Sequence, residues 1–168
     1  MEDTNLSVRR LGPTDGENYR KIRLEALKEA PTAFASSYET EQSRDLKYFE
    51  DKVTSGCIFG AFSSSEIIGV AGFFRQSGPK LEHKGVLWGM YVTSNFRKSG
   101  IGSALVNAVL NHATGLVDVV TLSVITENDS AIALYRKLGF ESFGTEPKAL
   151  KVGNTYFSEM HMMHSLDS

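Results

Sequence analysis

The chain has one cysteine in 168 residues, Cys57, which excludes an intramolecular disulfide framework and points to a reducing compartment. That thiol falls in the apolar run Cys57-Ile58-Phe59-Gly60-Ala61-Phe62, where a buried structural side chain is expected rather than a nucleophile. Positive charge is not in excess, with 18 Lys and Arg against 20 Asp and Glu. No global field attracts nucleic acid or anionic lipid, so any anion site must be local. No apolar run approaches the ~20 residues of a membrane span, and residues 1–5 have neither a basic nor an apolar leader segment. A cytoplasmic location is the expectation. Internal repeats, low-complexity stretches and flexible linkers are also missing, so residues 1–168 are expected to form a single domain.

What remains is a composition with 41% hydrophobic and 23% charged residues, ordinary for an enzyme or binding domain. Residues 6–11 alternate apolar and polar and end at Gly12-Pro13, as a half-buried strand does. Tyr19, Ile22, Arg23, Ala26 and Leu27 recur at helical spacing, and that helix should stop before Pro31. A weaker helix covers residues 45–55. Residues 57–62 and 67–74 flank a polar turn and read as a hairpin. Residues 86–92 form a nearly continuous apolar run, the mark of a strand covered on both faces. Gly89 interrupts it, and a glycine there marks a bulge or the close approach of a ligand. A helix from about Gly100, a strand at 117–124, a helix at 129–138 capped by Gly139, and strands at 148–152 and 156–164 around Gly153-Asn154 complete the order. The fold class is α/β, a mixed central sheet flanked by helices.

The stretch Arg97-Lys98-Ser99-Gly100-Ile101-Gly102 carries chemistry. A loop of free N–H groups feeding a helix N-terminus attracts anions through unsatisfied donors and the helix dipole. Gly100 and Gly102 let phosphate oxygens approach the amides, and Arg97 and Lys98 add charge. On spacing alone the segment equally suits a tight turn with a solvated basic pair. It has neither the spacing of a nucleotide P-loop nor a Gly-x-Gly-x-x-Gly turn, which disfavours ATP hydrolysis and hydride transfer.

This segment resembles the pyrophosphate signature Arg/Gln-x-x-Gly-x-Gly/Ala of the GCN5-related N-acetyltransferase (GNAT) family, and residues 128–140, Asn-Asp-Ser-Ala-Ile-Ala-Leu-Tyr-Arg-Lys-Leu-Gly-Phe, are similar to a second family segment. The resemblance is sharp over residues 86–140. It implies acetyl transfer from acetyl-CoA to a primary amine of a small molecule, amino acid or peptide, with no metal and no covalent enzyme intermediate. The implied cofactor track comprises the main chain of Met90, Tyr91 and Val92, the loop Arg97, Lys98, Ser99, Gly100, Ile101, Gly102 and Ser103, and Asn128, which equally suits a helix cap. The implied general acid is Tyr135, although a tyrosine in a short amphipathic helix also suits the core. The strand at 86–92 has no acid of its own, so Glu82, His83, Glu159 or water is left to take the amine's proton.

The connecting segment at residues 31–39 offers Phe34, Tyr38 and Glu39 to an amine with an apolar body, or uses Phe34 only to tuck the loop onto the core. His161 and His164 without a third ligand are weak evidence for metal. The partners expected are an amine acceptor and, in a homodimer, a second copy; nucleic acid and membrane are not expected. A sensor that binds acyl-CoA without turnover and a protein-lysine acetyltransferase are the alternatives, and Tyr135 favours an enzyme because a sensor needs no acid at the sulfur.

Overall fold

Hydrophobic periodicity divides this chain into strands that can only be satisfied inside a sheet and helices with one apolar stripe, and the computed structural model, which describes residues 5–166, shows how they meet. The N-terminal residues 1–4, on which the expectation of no leader partly rests, and residues 167–168 at the end of the expected domain lie outside the described residues. In chain order the elements are β1 (Leu6–Arg10), α1 (Gly16–Glu29), α2 (Tyr38–Gln42), α3 (Leu46–Ser55), β2 (Cys57–Ser63), β3 (Glu66–Arg75), β4 (Lys84–Val92), α4 (Ile101–Ala113), β5 (Val119–Ile125), α5 (Asp129–Lys137), β6 (Glu141–Val152) and β7 (Thr155–Ser165). The seven strands form one mixed sheet in the order β1-β2-β3-β4-β5-β7-β6, so the expected α/β class holds.

Each face of the sheet has its own core. Leu105, Val106 and Val109 of α4 and Ile132 and Tyr135 of α5 pack with Ile68, Ala71, Val120, Leu122, Phe140 and Met162. Tyr19, Ile22 and Ala26 of α1 and Phe49 and Val53 of α3 pack with Ile58, Phe62, Val70 and Tyr91. At ~1.5–3 kcal/mol per fully buried large apolar side chain, these two layers are the main force fixing the helices to the sheet. Cys57 lies in the first core, where burial pushes its thiol up from 9.0, as suits a structural residue.

Two expectations are corrected here. Residues 31–39 are not simply a loop: a short 3-10 turn at Pro31–Ala33 leads into α2, whose N-terminus is capped by Ser37 accepting from the Thr40 amide. The strand expected at 148–152 starts seven residues earlier, at Glu141. Its first half is exposed on both sides and carries register shifts between Ser142 and Gly144 and between Glu146 and Leu150, so it has no apolar alternation to read. Pro147 is tolerated there because β6 is an edge strand.

Gly139 has φ +92, and the Phe140 amide donates to the Tyr135 carbonyl at 2.9 Å while the Gly139 amide donates to that of Arg136 at 3.1 Å. This is a Schellman closure of α5. It fixes the ring of Tyr135 edge-on to that of Phe140, 5.8 Å between centroids.

Candidate active site

The site begins with one residue too many. β3 and β4 pair Val70 with Tyr91 and Gly72 with Trp88, which leaves Gly89 and Met90 facing Ala71 alone. Gly89 has φ +63, a conformation that strongly favours glycine, so the bulge expected from the sequence is present. On its other side β4 pairs with β5 only at Lys84–Val119, Gly85–Val120 and Val86–Thr121. Beyond Val86 the two strands splay, and the open side of residues 87–92 faces a cleft of about 550 Å³.

One end of that cleft is the loop into α4. Gly100 has φ +85 and no side chain caps the helix, whereas Ser37, Asp45 and Asn128 cap α2, α3 and α5. The first-turn amides therefore have no side-chain acceptor, and Gly100, Gly102 and Ser103 of this turn line the cleft. Arg97 ties the loop to the strand: its Nε donates to the Val92 carbonyl at 3.0 Å and its guanidinium stands over the Tyr91 ring. A Cβ at Gly102 would come within 3.0 Å of Leu134 and 3.3 Å of Met90, so a larger residue crowds these two lining side chains at the mouth of the helix.

Of the residues expected along a cofactor track, Met90, Tyr91, Val92, Arg97, Lys98, Gly100, Gly102, Ser103 and Asn128 line the cleft. Two do not. Ile101 is drawn into the core against β3, and the Ser99 hydroxyl turns back to the Phe96 carbonyl. Asn128 is a cap as well as a lining residue, accepting from the Ala131 amide at 3.2 Å. Tyr91 is held from behind by donating to Glu25 Oε1 at 3.0 Å; burial first and then Glu25 push its phenol up to about 12. Tyr135 also lines the cleft, and burial pushes its phenol well above 10.0, so it stays protonated at neutral pH.

A second cavity of about 320 Å³ opens on the α1 face, and Ala33, Phe34, Leu87, Trp88, Gly89 and Ser123 border both. The two cavities thus adjoin at the splay. Tyr19, Tyr48, Phe34 and Trp88 give this second cavity an aromatic wall, and Arg23, Glu41, Lys52 and Glu159 bring charge to it. Arg23 and Glu41 form a buried two-point pair, Nε to Oε2 at 3.0 Å and Nη2 to Oε1 at 2.9 Å. Burial works against the Arg23 charge, but Glu41 outweighs it and the guanidinium is held above its usual value. Arg23 also stands 5.4 Å from the Phe34 centroid and 5.8 Å from that of Trp88, steadying both rings.

Phe34 thus borders both cavities, whereas Tyr38 and Glu39 line neither: one turn of α2 sends Glu41 inward to Arg23 and leaves Glu39 exposed and Tyr38 against Lys28. Glu82 and His83 sit at the opposite end of β4 and line neither cavity, with Glu82 3.8 Å from Arg75. Glu159 lines the second cavity, and burial raises its carboxyl above 4.5. His161 and His164 are an odd number of residues apart on one strand and so face opposite sides of the sheet. Sequence reasoning missed Trp88, Glu41 and Ser123. A charged Arg23 inside the apolar stripe of α1 was the available signal for a buried acidic partner.

Among the described residues no helix is long and apolar enough to cross a membrane. The family model described as Acetyltransferase (GNAT) family matches residues 23–140. The N-alpha-acetyltransferase RimI of Mycobacterium tuberculosis is 36% identical over 94 residues, 55% of this chain and 57% of that protein. The chain spans between 25% and 57% of the length of the curated relatives it matches. An acetyltransferase of the GNAT family from Streptococcus pneumoniae has the same fold, with a TM-score of 0.84 at 19% identity over 97% of this chain and 100% of that one. The putative acetyltransferase YncA of Salmonella typhimurium, solved with acetyl-CoA, gives a TM-score of 0.80 at 17% identity over 98% of this chain and 95% of that one. With its family match across β4, the loop into α4 and α5, the chain belongs to the GNAT acetyltransferase family.

Proposed function

We propose that this chain transfers an acetyl group from acetyl-CoA to a primary amine of a small molecule, amino acid or peptide by direct attack. The observation that carries the reading is the meeting of two cavities at Leu87, Trp88, Gly89 and Ser123, one reaching an uncapped helix start and the other an aromatic wall with a carboxylate. A sensor without turnover needs no second cavity at that junction. The M. tuberculosis relative is named an N-alpha-acetyltransferase, which keeps peptide α-amines within the acceptor class.

Acetyl-CoA supplies an activated thioester acetyl. The amides opening α4, with Arg97 and Lys98, suit its pyrophosphate, and the unpaired main chain of Met90, Tyr91 and Val92 suits amide groups in its arm, as an added strand would. Freed main-chain groups at the bulge polarise a carbonyl brought beside them. Tyr135, protonated in the cleft, donates a proton to a departing thiolate. Across the junction, Phe34 and Trp88 hold the apolar body of the acceptor and Glu159 attracts its ammonium group. The amine must lose a proton before it attacks, because an ammonium has no lone pair.

The test is binding followed by turnover. Millimolar acetyl-CoA raises the melting temperature by mass action, and Gly102→Val, with its side chain pressed against Leu134 and Met90, loses the rise. An amine screen with free-thiol detection then identifies the acceptor. A wild-type chain whose melting temperature does not move with acetyl-CoA refutes the reading.

A further inference from the structure

Three strands beyond the bulge carry an arrangement that the cavities alone do not explain. Ser123 of β5 and His161 of β7 are cross-strand partners, with Ser123 Oγ 2.8 Å from His161 Nδ1. On the far side of the same ring, His161 Nε2 lies 3.4 Å from Glu146 Oε2 of β6. The Phe143 ring stacks on the imidazole at 6.0 Å and 27°, which limits its rotation. A hydroxyl, an imidazole and a carboxylate thus stand in line across three adjacent strands.

The inner end of that line is at the junction of the two cavities. Ser123 borders both cavities, whereas Glu159, the other acid at hand, borders only the second. The outer end is half exposed: the Glu146 side chain is 56% accessible. From the sequence the two histidines of β7 suggest at most a weak metal site. The geometry gives His161 a different task.

We propose that Ser123, His161 and Glu146 form a proton relay that removes the ammonium proton of the acceptor; this rests on the acetyl-transfer reading above. The carboxylate of Glu146 favours the tautomer with hydrogen on Nε2, leaving Nδ1 to accept from the Ser123 hydroxyl. The amine nitrogen passes a proton to Ser123 Oγ as the hydroxyl proton moves to His161 Nδ1. The imidazolium so formed faces Glu146 and releases its proton to water. The nitrogen keeps the electron pair that becomes the new N–C bond; the C–S bond breaks, and its electron pair leaves on sulfur, which Tyr135 protonates, while the second proton that the nitrogen sheds on becoming an amide returns through solvent to the Tyr135 oxygen. Ser123 touches the substrate, and His161 acts through it.

The charged groups facing the ring are Glu146 from β6 and Glu159 two residues before it on β7, while Arg23, paired with Glu41, and Lys52 lie across the second cavity.

The relay is tested with two probe amines of opposite demand: 2-phenylethylamine, an ammonium ion at neutral pH, and hydroxylamine, already neutral there. With 2-phenylethylamine, Ser123→Ala and His161→Gln lower kcat/KM by about 10²-fold, and His161→Gln flattens the acid limb of its pH profile. The loss is smaller with hydroxylamine, and Ser123→Thr, which keeps the hydroxyl, recovers most of the rate. ¹⁵N NMR of the histidine-labelled chain shows the Nε2–H tautomer for His161, independently of any acceptor. An unchanged pH profile in His161→Gln, equal losses with both amines, or an Nδ1–H tautomer overturns the relay. A wild-type chain that binds acetyl-CoA yet acetylates neither amine overturns it as well. Absence of acetyl-CoA binding instead defeats the underlying reading, and leaves the tautomer measurement standing as a separate result.

Discussion

Removing the charge of Glu41 isolates what the buried ion pair does for the second cavity. The Arg23 and Glu41 side chains are 8% and 7% exposed and meet at two points, so Glu41→Gln leaves a buried guanidinium with one neutral acceptor and an amide NH₂ facing its own donors. Breaking a buried pair from one side costs about 3–5 kcal/mol, because the remaining charge is uncompensated. For a chain of this size each kcal/mol lowers the melting temperature by roughly 2–4 °C, giving a fall of roughly 6–20 °C. Replacing both partners, as Arg23→Met with Glu41→Leu, removes the desolvation problem and recovers at least half of the loss. It does not restore the cation beside Phe34 and Trp88, so acetyl transfer stays low while the fold returns. Calorimetry and urea titration of the single and double variants measure both effects. A single variant within about 1 kcal/mol of wild type, or a double variant no better than the single, refutes the claim that the charge is trapped.

Tyr135→Phe keeps the ring against Phe140 and removes the proton; kcat falls by about 10²-fold while the acetyl-CoA thermal shift is retained, and unchanged turnover takes Tyr135 out of its role. Gly139→Ala forces a β-carbon into the left-handed region and to within 2.9 Å of the His164 ring, lowering stability by about 2 kcal/mol or more in a denaturant titration. Gly153→Ala shares the backbone conformation but meets nothing within 4 Å, so the difference between the two measures the clash. Hydrogen bonds from Arg9 hold the Asp15 carboxyl down from 3.8 to about 2. A carboxyl depressed by folding stabilises the protein above its unfolded value, and that contribution is lost as pH falls from about 4 to about 2. Asp15→Asn lacks this loss, so wild type and variant stability curves converge in that window.

Most of the site's framework is legible because it lies where local chemistry is unusual. Gly89 inside an apolar strand announces a bulge, and the paired glycines at 100 and 102 announce a helix start open to an anion. The second cavity is less legible, since it is assembled from α1, the segment after it, β4 and β7, whose mutual placement no local pattern encodes. Tyr38 and Glu39 stand out in the sequence as an aromatic and an acid, yet the register of a five-residue helix turns Glu41 inward instead. The early half of β6 is hidden because both of its sides are exposed, and strand alternation exists only where one side is buried. The Ser123–His161–Glu146 line is hidden for another reason: it runs perpendicular to the chain, from β5 across β7 to β6, and β5 is joined to that hairpin only through the fold.

The short pairing of β4 with β5 also makes the sheet two plates on a narrow hinge. β1 to β4 form one plate and β5, β7 and β6 the other, and within the sheet three residue pairs join them. An opening motion that widens the wedge therefore sacrifices few backbone hydrogen bonds. A molecule lodged in the wedge grips both plates at once, so it couples their fluctuations as well as occupying a site. Slowed amide exchange on binding should consequently extend into β7, a strand that does not border β4, because the second plate loses its freedom to swing.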